Sequence, residues 1–143
     1  DLINWVLKSE KLGQYNEVSR QKRFFKECEN HKILLKQLLN TLKKQGKNIV
    51  GYGASTKGNV ILQYCGINEK LINKIAEVNK YKFDRYTPGT NIKIVSEKKA
   101  MKNIPDYLLV LPWHFKDHII KRENKFLKKG GKLIFPLPDI EII

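Results

Sequence analysis

The sequence predicts a domain of the α/β class, and three observations lead to that prediction. Short apolar runs bounded by Gly, Pro and Asn alternate with helical patterns after residue 47. A glycine-rich turn follows the first of these runs, and the first 46 residues carry apolar residues at helical spacing. Continuous apolar strands alternating with helices indicate a parallel sheet covered on both faces. The predicted architecture is therefore a Rossmann-like, three-layer domain with a mainly parallel five-stranded sheet, preceded by a long N-terminal helical arm.

The arm is predicted over residues 1–46. Asp1–Lys11 has the pattern of a short amphipathic helix that breaks around Gly13, and a second helix runs from about Glu17 to Gln45. Its apolar residues recur at threes, fours and sevens: Phe24, Cys28, Leu35, Leu38 and Leu42. At 1.5 Å per residue this helix is about 40 Å long. So small a domain cannot cover that length, so the helix is expected to wrap a second body or to form a partner surface. His31 lies on the apolar stripe and is expected to be a core or boundary residue with satisfied ring nitrogens.

Residues 47–143 are predicted to form the Rossmann-like domain. Its strands are expected at Asn48–Tyr52, Lys74–Val78, Asn91–Val95, Tyr107–Leu111 and Lys132–Phe135. Its helices are expected at Lys57–Cys65, at Ser96–Lys102 with Ser96 as the cap, and at His114–Lys129, which ends at Gly130-Gly131.

Length and composition describe an ordinary globular chain. It has 143 residues, of which 41% are hydrophobic and 29% are charged, as in one folded domain. The longest strongly apolar run, Tyr107–Trp113, is too short to span a membrane, and the N-terminus lacks a signal-peptide pattern. A cytoplasmic protein is the expectation. Cys28 and Cys65 are expected to be buried reduced thiols, and with three histidines they assemble no metal site.

Net charge is the most conspicuous feature of the composition. The 28 basic residues outnumber 14 acidic ones, which gives +14, and such an excess can mark a nucleic-acid or polyphosphate binder. However, 24 of the basic residues are Lys and four are Arg, and the charge is spread evenly along the chain. Nucleic-acid and phosphate recognition tends to use the arginine fork. Solvated surface lysines are the favoured interpretation, with a functional anionic partner left open. We expect neither nucleic acid nor membrane as a partner.

The segment Gly51–Asn59 (GYGASTKGN) is the sharpest local signal, because it follows the first strand and opens a helix. Glycines allow a tight turn, and the helix N-terminus presents unpaired N–H groups to a phosphate, with Lys57 adding a mobile charge. The pattern departs from known fingerprints at Thr56, where a dinucleotide motif has Gly, and at Asn59, where a Walker A loop has Lys. A turn needed only for packing is the alternative. The candidate substrate-binding residues here are Gly51, Tyr52, Gly53, Ala54, Ser55, Lys57, Gly58 and Asn59.

Three further groups of candidates follow other strands. Glu77 ends the second strand, where a Rossmann acid holds ribose hydroxyls, although a solvated strand-end carboxylate is the alternative. The basic and aromatic loop Lys80–Thr90 could grip a base and a diphosphate or could be an edge crossover. If the strand order is 3-2-1-4-5, Trp113 and His114 after strand four face the glycine turn across a crevice. The alternative is that Trp113 caps the sheet edge and His114 lies near a helix start. The candidates added here are Lys82, Pro88, Gly89, Trp113 and His114, whereas His118 is expected at the surface.

Several catalytic signatures are absent. The sequence has no acidic-then-glycine-rich loop typical of adenosylmethionine binding, no G-x-S-x-G elbow, no paired carboxylates and no H-E-x-x-H. No catalytic residue is assigned to this chain.

The motifs in order resemble one family along essentially the whole chain. They are Gly51-Tyr52-Gly53-Ala54-x-x-Lys57-Gly58-Asn59, Glu77-Val78-Asn79-x-x-Lys82, Pro88-Gly89-Thr90, Pro105-Asp106-Tyr107, Leu111-Pro112-Trp113-His114 and Gly130-Gly131-Lys132. This set resembles the C-terminal domain of bacterial sugar C-methyltransferases, enzymes that methylate nucleotide-linked 4-keto-sugars.

The resemblance implies a three-domain parent enzyme with a small zinc-binding domain, a central S-adenosylmethionine-binding domain, and this one. The implied chemistry is proton abstraction next to a ketone, followed by attack of the enolate carbon on the sulfonium methyl. The donor site and the base are implied in the central domain, so the isolated chain is expected to hold no cofactor and to be inactive. Its expected role is one wall of the cleft for the nucleotide-diphosphate sugar, beside the central domain. The alternative is a structural docking module with a vestigial pocket.

Overall fold

The computed structural model describes residues 1–143 and contains six strands in one sheet. The strands are β1 (Ile49–Tyr52), β2 (Lys74–Glu77), β3 (Lys93–Ser96), β4 (Tyr107–Val110), β5 (Lys132–Phe135) and β6 (Glu141–Ile142). The helices are α1 (Leu2–Leu12), α2 (Val18–Lys44), α3 (Thr56–Tyr64), α4 (Glu97–Ala100), α5 (Lys116–Arg122) and α6 (Asn124–Lys128), with 3₁₀ turns at Lys80–Lys82 and Trp113–Phe115. None of the helices combines the length and the apolar character that crossing a membrane requires.

The strand order is β3-β2-β1-β4-β5-β6. The first five strands are parallel in the order 3-2-1-4-5, and the sheet has a sixth strand where five were predicted. β6 pairs antiparallel with β5, with Phe135 opposite Glu141. A two-residue strand after Pro138 carries too little periodic signal to be recognised from sequence. The chain leaves β1 towards β2 and later crosses to β4 on the other side, so the ends of β1 and β4 flank a topological switch point.

Helices cover both faces of the sheet, because alternate strand residues point to opposite faces. One core joins α2 and α3 to residues such as Ile75 and Leu109, and the other joins α5 and α6 to residues such as Ala76 and Leu108. The α/β class and the two helical layers are thus as predicted. Seven of the eight predicted strands and helices of residues 47–143 match observed elements, with ends shifted by at most two residues.

The eighth prediction, one continuous helix over His114–Lys129, is wrong. The segment is divided into a 3₁₀ turn, α5 and α6, with the break at Glu123. The Glu123 side chain accepts a hydrogen bond of 2.7 Å from the Tyr52 hydroxyl at this break. Ile119 and Phe126 on either side are both buried in the same core.

The helical arm is only partly covered by the domain. α1 buries no residue, and α2 buries three, Leu35, Leu39 and Leu42, all in its second half. Phe24 in the first half is 67% exposed. The expectation that the domain cannot cover the whole helix is therefore confirmed.

Two expectations about side chains of α2 need correction. The His31 Nε2 atom is buried without a hydrogen-bond partner, so this histidine is not the satisfied one that was expected. Cys65 is buried, and burial raises the pKa of its thiol, but Cys28 is only half-buried because it lies on the uncovered half of α2. Both thiols are free.

Candidate functional site

A cleft of about 280 Å³ lies at the carboxyl ends of β1 and β2 and beside the segment that follows β4. This is the position where open α/β sheets place ligands. Its lining comes from the glycine turn, from β2 and its exit, from α4, and from the segment after β4 through α5: Tyr52, Gly53, Ala54, Ser55, Ala76, Glu77, Val78, Lys82, Glu97, Pro112, Phe115, His118, Ile119 and Arg122.

The turn at the floor of this cleft requires glycine at position 53. Gly53 has φ +77°, a conformation that disfavours side chains, and a Cβ there would lie 2.9 Å from the ring of Pro112. Its amide donates to the Ala76 carbonyl at 2.8 Å. Packing of the turn against the β4 exit thus explains this glycine without a ligand.

Most amides of the turn are already hydrogen-bonded within the protein. The Ala54 amide donates to Glu77 Oε2 at 3.0 Å, and the Ser55 amide donates to the Gly53 carbonyl at 2.8 Å. Ser55 caps α3, since its Oγ accepts from the Gly58 amide at 2.9 Å. Only the amides of Thr56 and Lys57, at the start of α3, have no acceptor in the protein. The anion-binding capacity expected of the turn is accordingly reduced to these two groups.

Glu77 is a buried structural carboxylate. It is 7% exposed, and Oε1 accepts from the amides of Val78 and Asn79 at 2.7 and 2.9 Å. Oε2 takes the Ala54 amide and lies 3.5 Å from Lys82 Nζ. The predicted alternative of a solvated strand-end carboxylate is wrong. With its oxygens so engaged, Glu77 has little capacity left for ribose hydroxyls.

Lys82 is anchored to the same turn. Its ammonium donates to the Ala54 carbonyl at 2.8 Å, in addition to its ion pair with Glu77. It is the residue by which the Lys80–Thr90 loop reaches the cleft.

The far wall of the cleft is one face of the segment after β4. Phe115, His118, Ile119 and Arg122 follow at helical spacing and all line it. Arg122 Nη2 donates to both carboxylate oxygens of Glu97, at 2.6 and 2.7 Å.

Tyr52 and Glu123 support that wall from behind. Burial, reinforced by the hydrogen bond to Glu123, raises the pKa of Tyr52 well above its ordinary value. Tyr52 therefore stays protonated and donates to Glu123, whose Oε1 also lies 3.6 Å from Arg122 Nε.

Eight of the predicted site residues lie outside the lining. Gly51 and Gly58 pack closely, because a Cβ at these positions would lie 2.7 Å from Ile75 and 2.6 Å from Leu111. Lys57 is exposed and Asn59 is half-buried on α3. The other four are Pro88, Gly89, Trp113 and His114.

Pro88 and Gly89 belong to a tight turn with Gly89 at φ +72°, held to α3 because Gln63 Nε2 donates to the Pro88 carbonyl at 2.9 Å. Trp113 packs against both cores, and its ring meets the exposed His114 edge-on at 5.9 Å. Pro112, rather than Trp113, lies against the glycine turn.

Sequence reasoning did not identify the residues that α4, the 3₁₀ turn after β4 and α5 bring to the cleft: Glu97, Phe115, His118, Ile119 and Arg122. A signal was available, because positions 115, 118, 119 and 122 form one helical face directly after the strand that borders the switch point. Of these residues Ile119 is buried, whereas Phe115 is exposed.

Comparison with known proteins gives two matches. The family model described as C-methyltransferase C-terminal domain matches residues 1–138. The C-methyltransferase NovU of Streptomyces niveus is similar to this chain, with 33% identity over 122 residues that cover 85% of this chain and 29% of NovU. The chain therefore spans about three tenths of the length of that relative.

Proposed function

The chain belongs to the C-methyltransferase C-terminal domain family, and we propose that it forms one wall of the nucleotide-sugar cleft of an S-adenosylmethionine-dependent sugar C-methyltransferase. The observation that carries the proposal is the cleft at the topological switch point, between the glycine turn and α5. The strand order 3-2-1-4-5 supports a Rossmann-like classification, in which this crevice is the ligand position.

The methyl donor and the zinc ion are assigned to other domains of the parent enzyme. S-adenosylmethionine would supply an electrophilic methyl group there. The cleft in this chain is poorly suited to the donor's ribose, because the Glu77 oxygens already accept three backbone N–H groups. This chain contributes binding and orientation, and no catalytic residue.

The cleft offers a nucleotide both apolar and polar contacts. Phe115, Pro112 and Ile119 supply apolar surface within the cleft. The free amides of Thr56 and Lys57 do not line the cleft but directly follow Ser55, which does. Binding energy gained on the nucleotide, remote from the reacting carbon, can orient the ketone of the sugar at the reacting centre. The expected partners are thus a nucleotide-diphosphate sugar and the central domain.

Titration of the ¹⁵N-labelled chain with deoxythymidine diphosphate tests the proposal by nuclear magnetic resonance. The amide signals of the glycine turn and of α5 should shift together at millimolar ligand. In the parent enzyme, Lys57→Glu should raise the KM for the sugar nucleotide because it reverses a charge beside the free amides. Unmoved amides together with an unchanged KM would contradict a ligand-binding role.

A docking module with a vestigial pocket is the second candidate, and the exposed arm favours it. α1 buries no residue, and Trp5 and Phe25 are each 65% exposed. Residues 1–25 expose ten large apolar side chains, and such a concentration is typical of an interaction surface. Phe25→Asp in the parent enzyme should then weaken association with the catalytic domain while Lys57→Glu leaves KM unchanged. If Phe25→Asp leaves the association unchanged and Lys57→Glu raises the KM, the ligand-binding cleft is favoured.

A further inference from the structure

The charged residues of the cleft differ in character from the rest of this chain. The protein carries +14 overall, yet the cleft lining holds two carboxylates, Glu77 and Glu97, and two permanent cations, Lys82 and Arg122. These charges cancel. An anionic ligand therefore gains little electrostatic binding energy in the cleft unless one of the two cations is released from its carboxylate partner.

Lys82 is poorly placed for that role. Its ammonium donates to the Ala54 carbonyl at 2.8 Å and pairs with the buried Glu77 carboxylate. Withdrawing it would leave Glu77 without its cation in a site that is 7% exposed, which is costly for a buried charge.

Arg122 is placed differently. Its Nη2 is shared between the two oxygens of Glu97, Nε lies 3.6 Å from Glu123, and Nη1 has no hydrogen-bond partner. The Arg122 and Glu97 side chains keep 41% and 30% of their surface exposed. Exposed ion pairs of this kind are weak and exchange readily.

Glu97 can leave the pair without disturbing the fold. It is the first residue of α4, and its side chain makes no hydrogen bonds except the two that it accepts from Arg122. When it swings into solvent, Glu123 still lies at the Nε edge of Arg122, and Tyr52 holds Glu123. The guanidinium would remain placed at the cleft with both terminal nitrogens free.

We propose that Arg122 is the diphosphate-binding cation of this cleft and that the Glu97 carboxylate occupies it until a nucleoside diphosphate displaces it. Two phosphate oxygens replace the two carboxylate oxygens on the guanidinium, which suits paired oxygens of either group. The proposal rests on the proposed nucleotide-sugar role and adds Arg122, which lines the cleft, to Lys57 as a phosphate contact. Glu97 then lowers affinity and favours ligands with enough negative charge to compete.

The test is a titration of the chain with deoxythymidine diphosphate and, separately, with deoxythymidine, in wild type and in two variants. Arg122→Gln should weaken diphosphate binding about 10- to 100-fold, the loss of a charged hydrogen bond. Glu97→Gln should tighten it about two- to fivefold, since an exposed competitor is removed. Neither change should alter nucleoside binding. Arg23→Gln and Glu69→Gln are matched controls, because both side chains are exposed without an ion pair and neither lines the cleft.

The outcomes separate the two proposals. Diphosphate binding that shifts the glycine-turn amides but is unaffected by Arg122→Gln, or is weakened by Glu97→Gln, overturns the role of Arg122 and leaves the cleft proposal intact. Equal losses in Arg122→Gln and Arg23→Gln reveal a net-charge effect and also overturn it. If neither ligand shifts the cleft amides in wild type or Glu97→Gln, both proposals fail.

Discussion

Replacing Glu77 by Gln tests whether the carboxylate at the end of β2 holds the glycine turn in place. An amide side chain accepts hydrogen bonds through one atom only, whereas Glu77 accepts on both oxygens from Ala54, Val78 and Asn79. In either orientation of the Gln side chain, its amide nitrogen replaces one of the two accepting oxygens. At least one backbone N–H group then loses its acceptor and faces an N–H₂ group instead. A buried donor without a partner costs about 1–3 kcal/mol.

We therefore expect Glu77→Gln to lower the free energy of unfolding by about 2 kcal/mol. For a chain of this size the thermal midpoint should fall by about 4–8 °C. Differential scanning calorimetry measures the midpoint, and hydrogen exchange should show faster exchange at Ala54 than at strand amides far from the turn. Glu69→Gln, which changes an exposed carboxylate, is the control. A variant within 1 °C of wild type, with unchanged exchange at Ala54, would refute the structural role of Glu77.

Three further outcomes are expected. Gly58→Ala should lower the free energy of unfolding, measured in urea, by about 1–3 kcal/mol, because the new methyl group would overlap Leu111. An unchanged free energy of unfolding would contradict the close packing of α3. Leu39→Ala should lower the free energy of unfolding by about 2–5 kcal/mol, since this side chain is fully buried. Phe24→Ala, on the exposed half of the same helix, should change it by less than about 0.5 kcal/mol. Similar losses in the two variants would mean that the arm is covered along its length. The hydrogen bond from Tyr64 lowers the pKa of Glu29 below its ordinary 4.5, so this contribution to stability is present above that pH and is lost as the pH falls below it. Tyr64→Phe should bring the pKa of Glu29 back towards 4.5 in a carboxyl ¹³C titration, and an unshifted value would rule out the hydrogen bond.

The sheet was predictable because its signals are local. The runs Tyr107–Leu111 and Leu133–Phe135 are apolar over their length, and each is followed by Pro, so buried strands follow from the sequence alone. β6 and the break at Glu123 were not predictable in this way. β6 exists because β5 offers an open edge, and the break coincides with a hydrogen bond to Tyr52, 71 residues away in sequence.

The glycine turn illustrates a different limit. Its sequence pattern predicts amides that have no acceptor within the turn itself. The pattern does not reveal whether a ligand or a side chain from elsewhere in the chain accepts from them. The acceptor at Ala54 is Glu77, which lies 23 positions later and meets the turn only because β1 and β2 pair in register. Single-sequence reasoning identified both residues and could not determine that they bind each other.

Two carboxylates of one cleft are thus expected to respond in opposite ways to the same chemical change. Glu77 is buried and bonded to the backbone, so its neutral amide should weaken the fold and leave any ligand effect secondary. Glu97 keeps 30% of its side-chain surface exposed and is bonded only to Arg122, so its neutral amide should leave the fold intact and raise affinity for a diphosphate. Burial, and not charge, decides between these outcomes. Breaking a solvent-exposed ion pair costs little free energy, because water or another anion takes the place of the lost partner. Water cannot take the place of a buried acceptor. If both variants instead lost stability equally, α4 would depend on its ion pair, and Glu97 could not act as a displaceable competitor.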